Sequence, residues 1–196
     1  MAWDTLNKQT EAENKADRDR KVAAWICVAA VLLAICSLGG SNATKDATLK
    51  TIEASNLWSF FQAKNIRREL FRVEIDQLEL QVASNPQMPE PAKTATADKI
   101  KSLKAKVEGL TSDPKSNEGL DQLFARAKAL EQDRDQALKR DPYFDYGAAL
   151  LSIAIALASV ALIAEGVVIL GLSILCGAAG ALLTFNGFTL LFPLLG

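Results

Sequence analysis

The chain has 196 residues, 22 basic and 23 acidic side chains, a net charge of −1 and no histidine. The balanced charge gives no basic excess for nucleic acid, and the missing histidine removes the commonest general base and the commonest metal ligand together. An enzyme is therefore not expected, and neither a cofactor nor a metal site is read from the residues.

The charges are distributed unevenly. The first 21 residues carry five basic and five acidic groups, and residues 41–146 carry seventeen of each. The last fifty residues, from Gly147, contain a single ionisable side chain, Glu165. All three cysteines, Cys27, Cys36 and Cys176, fall in apolar stretches, so the polar segment has no thiol for a disulfide.

Residues 1–21 read as a charged N-terminal tail, solvated or loosely helical. Val22 to Gly40 follows as a first transmembrane helix, within the ~17 to 25 apolar residues that a span requires. Arg18, Arg20 and Lys21 before an apolar run, and Ser41-Asn42-Ala43 after it, imitate a cleaved signal peptide. The length of the apolar run favours a retained anchor instead, and Ile35 is too large for a lipoprotein cleavage box at Cys36.

Residues 41–146 read as a helical, coiled-coil-like extramembrane domain. No proline interrupts residues 42–84, where Phe71, Ile75, Leu78 and Val82 recur at helical spacing, and this helix can continue the first span directly. Pro86, Pro89 and Pro91 end it. A second helix is expected over 96–112 on Ile100, Leu103, Val107 and Leu110. A third is expected over 119–140 on Leu120, Leu123, Ala127, Leu130 and Ala137. Lys99, Lys101, Lys104 and Lys106 make a short basic face, read as solvated.

Asp141-Pro142 offers an N-cap and a proline in the first turn for a second span over 147–164. The remaining apolar block is too long for one helix. A buried carboxylate costs about 2.5 to 3.5 kcal/mol at the bilayer centre and much less at its surface, so the turn belongs at Ala164-Glu165-Gly166. A third span then covers 167–188, and 189–196 is an apolar tail. Trp25, Tyr143, Phe144 and Tyr146 suit the aromatic belts at the membrane surface. The fold class expected is all-α, with three transmembrane helices.

Two groups of residues are candidates for assembly. Trp58, Phe61, Gln62, Asn65 and Ile66 form a mixed aromatic and amide face on the long helix, and a buried Asn or Gln at such a seam fixes register. In the spans, Ser173, Gly177 and Ala181 recur every four residues, and Ala148, Ser152 and Ala156 offer a matching ridge for close helix approach.

The run Asn42-Ala43-Thr44 and the stretch ASNLWSFFQAKNIR from Ala54 to Arg67 resemble a bacterial membrane family catalogued as domain of unknown function 4337. The resemblance implies the same plan of charged tail, span, helical polar domain and two-span hairpin. It also implies a cytoplasmic hairpin turn and a periplasmic polar domain. It brings no activity with it, and Ala164-Glu165-Gly166 stands where the family has an arginine-rich loop.

The expectation is a multi-pass protein of the bacterial inner membrane, with a cytoplasmic N-terminus next to Lys8, Lys15, Arg18, Arg20 and Lys21. Its partners are the lipid bilayer and protein, as a homo-oligomer or within a larger membrane complex, with no nucleic acid and no small-molecule substrate. The function expected is structural: a membrane-anchored interaction protein, self-assembling or accessory. The alternative is a channel or transporter subunit forming an oligomeric pore.

Overall fold

The computed structural model describes residues 2–192, with side chains from Gln9 onward. The described residues are helical apart from short turns: α1 is Ala2–Ser84, α2 is Glu90–Thr111, α3 is Leu120–Ala164 and α4 is Val167–Thr189. Met1 and the last four residues of the apolar tail lie outside them.

Three of these helices, α1, α3 and α4, contain stretches long and apolar enough to cross a membrane. Two run unbroken from apolar into polar sequence. α1 takes in the charged tail, the first apolar stretch and the whole polar run up to Ser84, because neither Gly39-Gly40 nor any proline interrupts its backbone hydrogen bonds.

α3 carries Pro142 in its interior, so the helix expected to start at Asp141-Pro142 is the continuation of its predecessor. A proline in a helix interior costs about 3 kcal/mol. Here the next two side chains, Tyr143 and Phe144, are almost fully buried, and their packing holds the chain helical through the proline. Asp141 is no cap. Its carboxylate accepts from the Thr44 hydroxyl at 3.0 Å.

α2 starts six residues earlier than its heptad pattern indicates. Pro89 is its N-cap and Pro91 lies in its first turn, where a proline ring is already set for helix and its missing N–H costs no bond. The same prolines that stop α1 therefore start α2.

The chain divides into two compact units, one formed by the residues up to Ala47 together with those from Asp135, the other being Thr48–Arg134. In the first, α1 buries Val22, Ala29, Cys36 and Ala43, one residue every seven. Cys36, Ala43, Phe144 and Leu151 form its core, with Leu32, Leu33 and Ala148 packed around them. Glu165 joins α3 to α4 in a left-handed conformation, φ 54°, which lets the chain reverse within two residues.

In the second unit, α1 has a seven-residue repeat of its own, Ala54, Phe61, Ile75 and Val82, each buried or half-buried. Leu103 of α2 and Leu120, Leu123 and Ala127 of α3 are buried in the same unit, where Phe61 of α1 meets the Phe124 ring of α3. The turn between α2 and α3 is closed by Asp113, whose carboxylate accepts from the Ser116 hydroxyl at 2.6 Å and from the amides of Lys115 and Ser116. Ser116 holds the Asp113 carboxyl below its ordinary value, first through its hydroxyl and then through its amide.

Candidate interaction surfaces

Within the first unit, the indole N–H of Trp25 on α1 donates to Ser173 Oγ on α4 at 3.0 Å. The Ser173 hydroxyl in turn donates to the Ala154 carbonyl on α3 at 2.7 Å. This chain of two bonds ties three helices together. A bond of this kind in an apolar surrounding contributes about 0.6 kcal/mol, with a maximum near 1.7.

Close approach is made possible by glycine. A Cβ on Gly177 would run into the Trp25 ring, and one on Gly39 or Gly187 would meet the ring of Phe144. Phe144 also makes an edge-on contact with Phe188, their centroids 4.9 Å apart. Cys36 donates its thiol proton to the Phe144 carbonyl at 3.1 Å.

The aromatic residues expected at the membrane surface thus divide. Trp25 is held by Ser173, Tyr143 donates to the Phe192 carbonyl at 3.0 Å and Phe144 is in the core. Tyr146, 57 % exposed, is the one of the four left on the outside.

The small-residue ridges divide too. Ser173 and Gly177 are buried and Ala181 is half-buried, but on α3 Ala148 is half-buried while Ser152 and Ala156 are exposed. The residues α3 turns inward are instead Gly147, Leu151, Ala154, Ala158 and Ala161. The spacing of Ala148, Ser152 and Ala156 is right for packing, but they lie on the neighbouring face; Ser152 returns its hydroxyl to the Ala148 carbonyl of its own helix.

At the α3–α4 turn, Glu165 forms an ion pair with Lys15 at 2.5 Å and lies 3.9 Å from Arg18. Lys15 lowers the Glu165 carboxyl, by hydrogen bond and then by charge, with Arg18 adding to it, and Glu165 in turn raises Lys15. The cations come from the charged tail, which is the start of α1.

In the second unit, Trp58 and Phe61 face inward. Their rings meet edge-on with Phe124 beside them, and the Trp58 indole N–H donates to Glu131 at 2.9 Å. Lys128 binds the same carboxylate at 2.7 Å and sits over the Trp58 ring. Glu131 is held below its ordinary value, first by Lys128 and then by Trp58. Asn65, half-buried, accepts from Arg68 at 2.7 Å. Gln62 and Ile66 point outward.

The five residues proposed as one face therefore occupy two sides of α1. Much of the basic face of α2 is engaged as well: Lys99 pairs with Glu74, Lys104 with Glu79, and Lys106 covers the Phe71 ring.

Beyond these contacts, α1 keeps large aliphatic side chains exposed in the polar unit, among them Ile52, Ile66, Leu70, Val73 and Leu80, each more than half exposed. Of these only Ile66 belongs to the face expected from the sequence, where the aromatic residues Trp58 and Phe61 dominate the pattern. Among the described residues no three His, Cys, Asp or Glu side chains come together as a metal site.

These features define an all-helical protein with three helices of membrane-crossing length and a helical polar unit between the first and second. The chain belongs to the family described as domain of unknown function DUF4337, whose model matches residues 18–190. Comparisons with curated proteins and with solved structures give no match.

Proposed function

We propose that this chain is a three-span protein of the bacterial inner membrane, anchored with its N-terminus in the cytoplasm and its helical unit in the periplasm. It serves as an interaction or scaffolding module, self-assembling or accessory to a larger membrane complex. The orientation is supported by the five basic residues of the tail, against Lys45 and Lys50 just beyond the first apolar stretch.

The observation that carries the interaction role is the exposure of Ile66, Leu70 and Val73, at 62 %, 63 % and 53 %, in a unit otherwise rich in charge. Bilayer lipid can cover the outer faces of the apolar stretches, whereas exposed aliphatics arranged in a row on a water-facing helix mark a protein contact.

The test has two parts. The full chain should stay with membranes through alkaline extraction, and a cysteine placed at Lys115, in the α2–α3 turn, should react with an impermeant maleimide from the periplasmic side. Release from the membrane at high pH would refute the anchoring, and labelling only after the inner membrane is opened would reverse the orientation.

A further inference from the structure

The exposed aliphatics of α1 in the polar unit are not scattered. Leu49, Ile52, Ile66, Leu70, Val73 and Leu80 all fall on one row that steps alternately by three and four residues, and each is at least half exposed. That is a heptad seam with Leu49 and Leu70 at a, and Ile52, Ile66, Val73 and Leu80 at d. The residues in its remaining layers are small or polar, and they too are exposed. The seam of Ala54, Phe61 and Ile75, which packs against α2 and α3, is on the opposite side of the same helix. α1 therefore carries two heptad seams, of which the fold covers one.

We propose that the outer row is where a second copy of this chain docks, α1 against α1, parallel and in register. The parallel direction rests on the membrane reading above, since two copies inserted the same way present the row in the same direction. Asn56 stands at an a position of the row and is exposed. In a parallel pair an a residue faces its own counterpart, so the two Asn56 amides hydrogen-bond to each other and fix the register, a role that a single asparagine performs at this position.

The size is adequate. From Leu49 to Leu80 the row is about 47 Å long at 1.5 Å per residue, and a strip roughly 10 Å wide on each copy buries ~1,000 Å² in all, the level a specific interface has to reach. The flanking charges permit the approach. Gln62 lies across from Arg67 of the second copy. The one like-charged pairing, Glu69 with Glu74, joins carboxylates that already have their own cations: Arg68 and Arg72 for Glu69, Lys99 for Glu74. Leu at a with Ile or Val at d shifts the preference towards more than two strands, so further copies can join the same seam.

The experiment is native mass spectrometry of the full chain in lipid nanodiscs, with wild type beside Ile66→Glu/Leu70→Glu. Both substitutions are on the exposed row, so helicity by circular dichroism should be unchanged. The wild type is expected as an oligomer, and the variant as a monomer, its dissociation constant raised about a hundredfold or more by like charges set against each other. Val73→Cys should cross-link to its own copy under oxidation above the wild-type background, and Lys115→Cys should not.

A monomeric wild type, an oligomer unmoved by the variant, or loss of a foreign chain in place of a second copy would each overturn the pairing while leaving the membrane reading intact. Failure of membrane retention in the extraction experiment would remove that reading separately.

Discussion

Trp25 and Ser173 stand 148 residues apart in the chain, yet the indole of one is hydrogen-bonded to the hydroxyl of the other at 3.0 Å. Because Ser173 also donates to the Ala154 carbonyl, removing it affects three helices at once. Ser173→Ala should destabilise the apolar helices by about 0.6 to 1.7 kcal/mol. Thermal unfolding in detergent would measure this, and Trp25→Phe combined with Ser173→Ala should cost less than the sum of the two single changes, because both break the Trp25–Ser173 bond while only Ser173→Ala also loses the bond to Ala154.

Gly177 and Gly171 lie on the same helix and should respond in opposite ways. A Cβ at Gly177 collides with the Trp25 ring, whereas one at Gly171 meets nothing within 4 Å. Gly177→Val should lower the melting temperature and expose Trp25 to quenchers. Gly171→Ala should be neutral or stabilising by up to about 1 kcal/mol, since glycine is the poorer helix former.

In the polar unit, Trp58 and Phe61 are fold residues. Trp58→Ala with Phe61→Ala empties the cluster around Phe124 and frees Glu131 of one donor. Half-buried aromatics lose less than the ~3 to 5 kcal/mol of fully buried ones, so a cost of about 2 kcal/mol is expected. Denaturant unfolding should show this loss. The mass of the assembled protein at low denaturant should remain that of the wild type.

The Lys15–Glu165 pair has a defined pH window. The folded-state value of Glu165 is lowered, so its contribution is complete above the ordinary glutamate value of 4.5 and disappears as pH falls through the depressed one. That of Lys15 is raised, so its share is present below the ordinary lysine value of 10.5 and is lost as pH rises through the elevated one. Hydrogen exchange of the amides around Lys15, corrected for intrinsic rate, should show protection between these limits and loss on the acid side. Glu165→Gln should remove the dependence, and added salt should weaken it, because both groups are open to water.

The fold is legible in the sequence where a single physical cost dominates. One carboxylate in fifty apolar residues predicts a turn at Glu165, and the α3–α4 turn falls at Glu165 and Gly166. The heptad positions Phe71, Ile75, Leu78 and Val82 are all buried or half-buried. Where two local tendencies compete, sequence alone was insufficient. Pro142 is read as a helix start because its own chemistry favours one, but the burial of Tyr143 and Phe144 offsets its cost and α3 runs through.

The candidate surface was misread for a related reason. Aromatic residues dominate any pattern in which they occur, so Trp58 and Phe61 stood for the whole face. The outer row is built of single aliphatics separated by small and polar residues, and it becomes visible only when the neighbouring helices are seen to occupy the other side. Ile66 is the one residue of the proposed set that lies on it. In the apolar helices, spacing by four could not distinguish the ridge of Ser152 and Ala156 from that of Leu151, Ala154 and Ala158, two adjacent faces of equally apolar sequence.

The seven-residue repeat of buried positions in the polar part of α1 makes the length of that part a quantised quantity. Removing seven residues from its polar part, with a matching seven from α3, would shorten that unit by about 10 Å and return every side chain to the face it had left. Removing four would rotate all that follows by about 40°, the difference between four residues and one full turn. Changes in the length of this polar unit should therefore be tolerated in sevens and resisted at intermediate lengths, so that the unit behaves as a ruler marked in heptads.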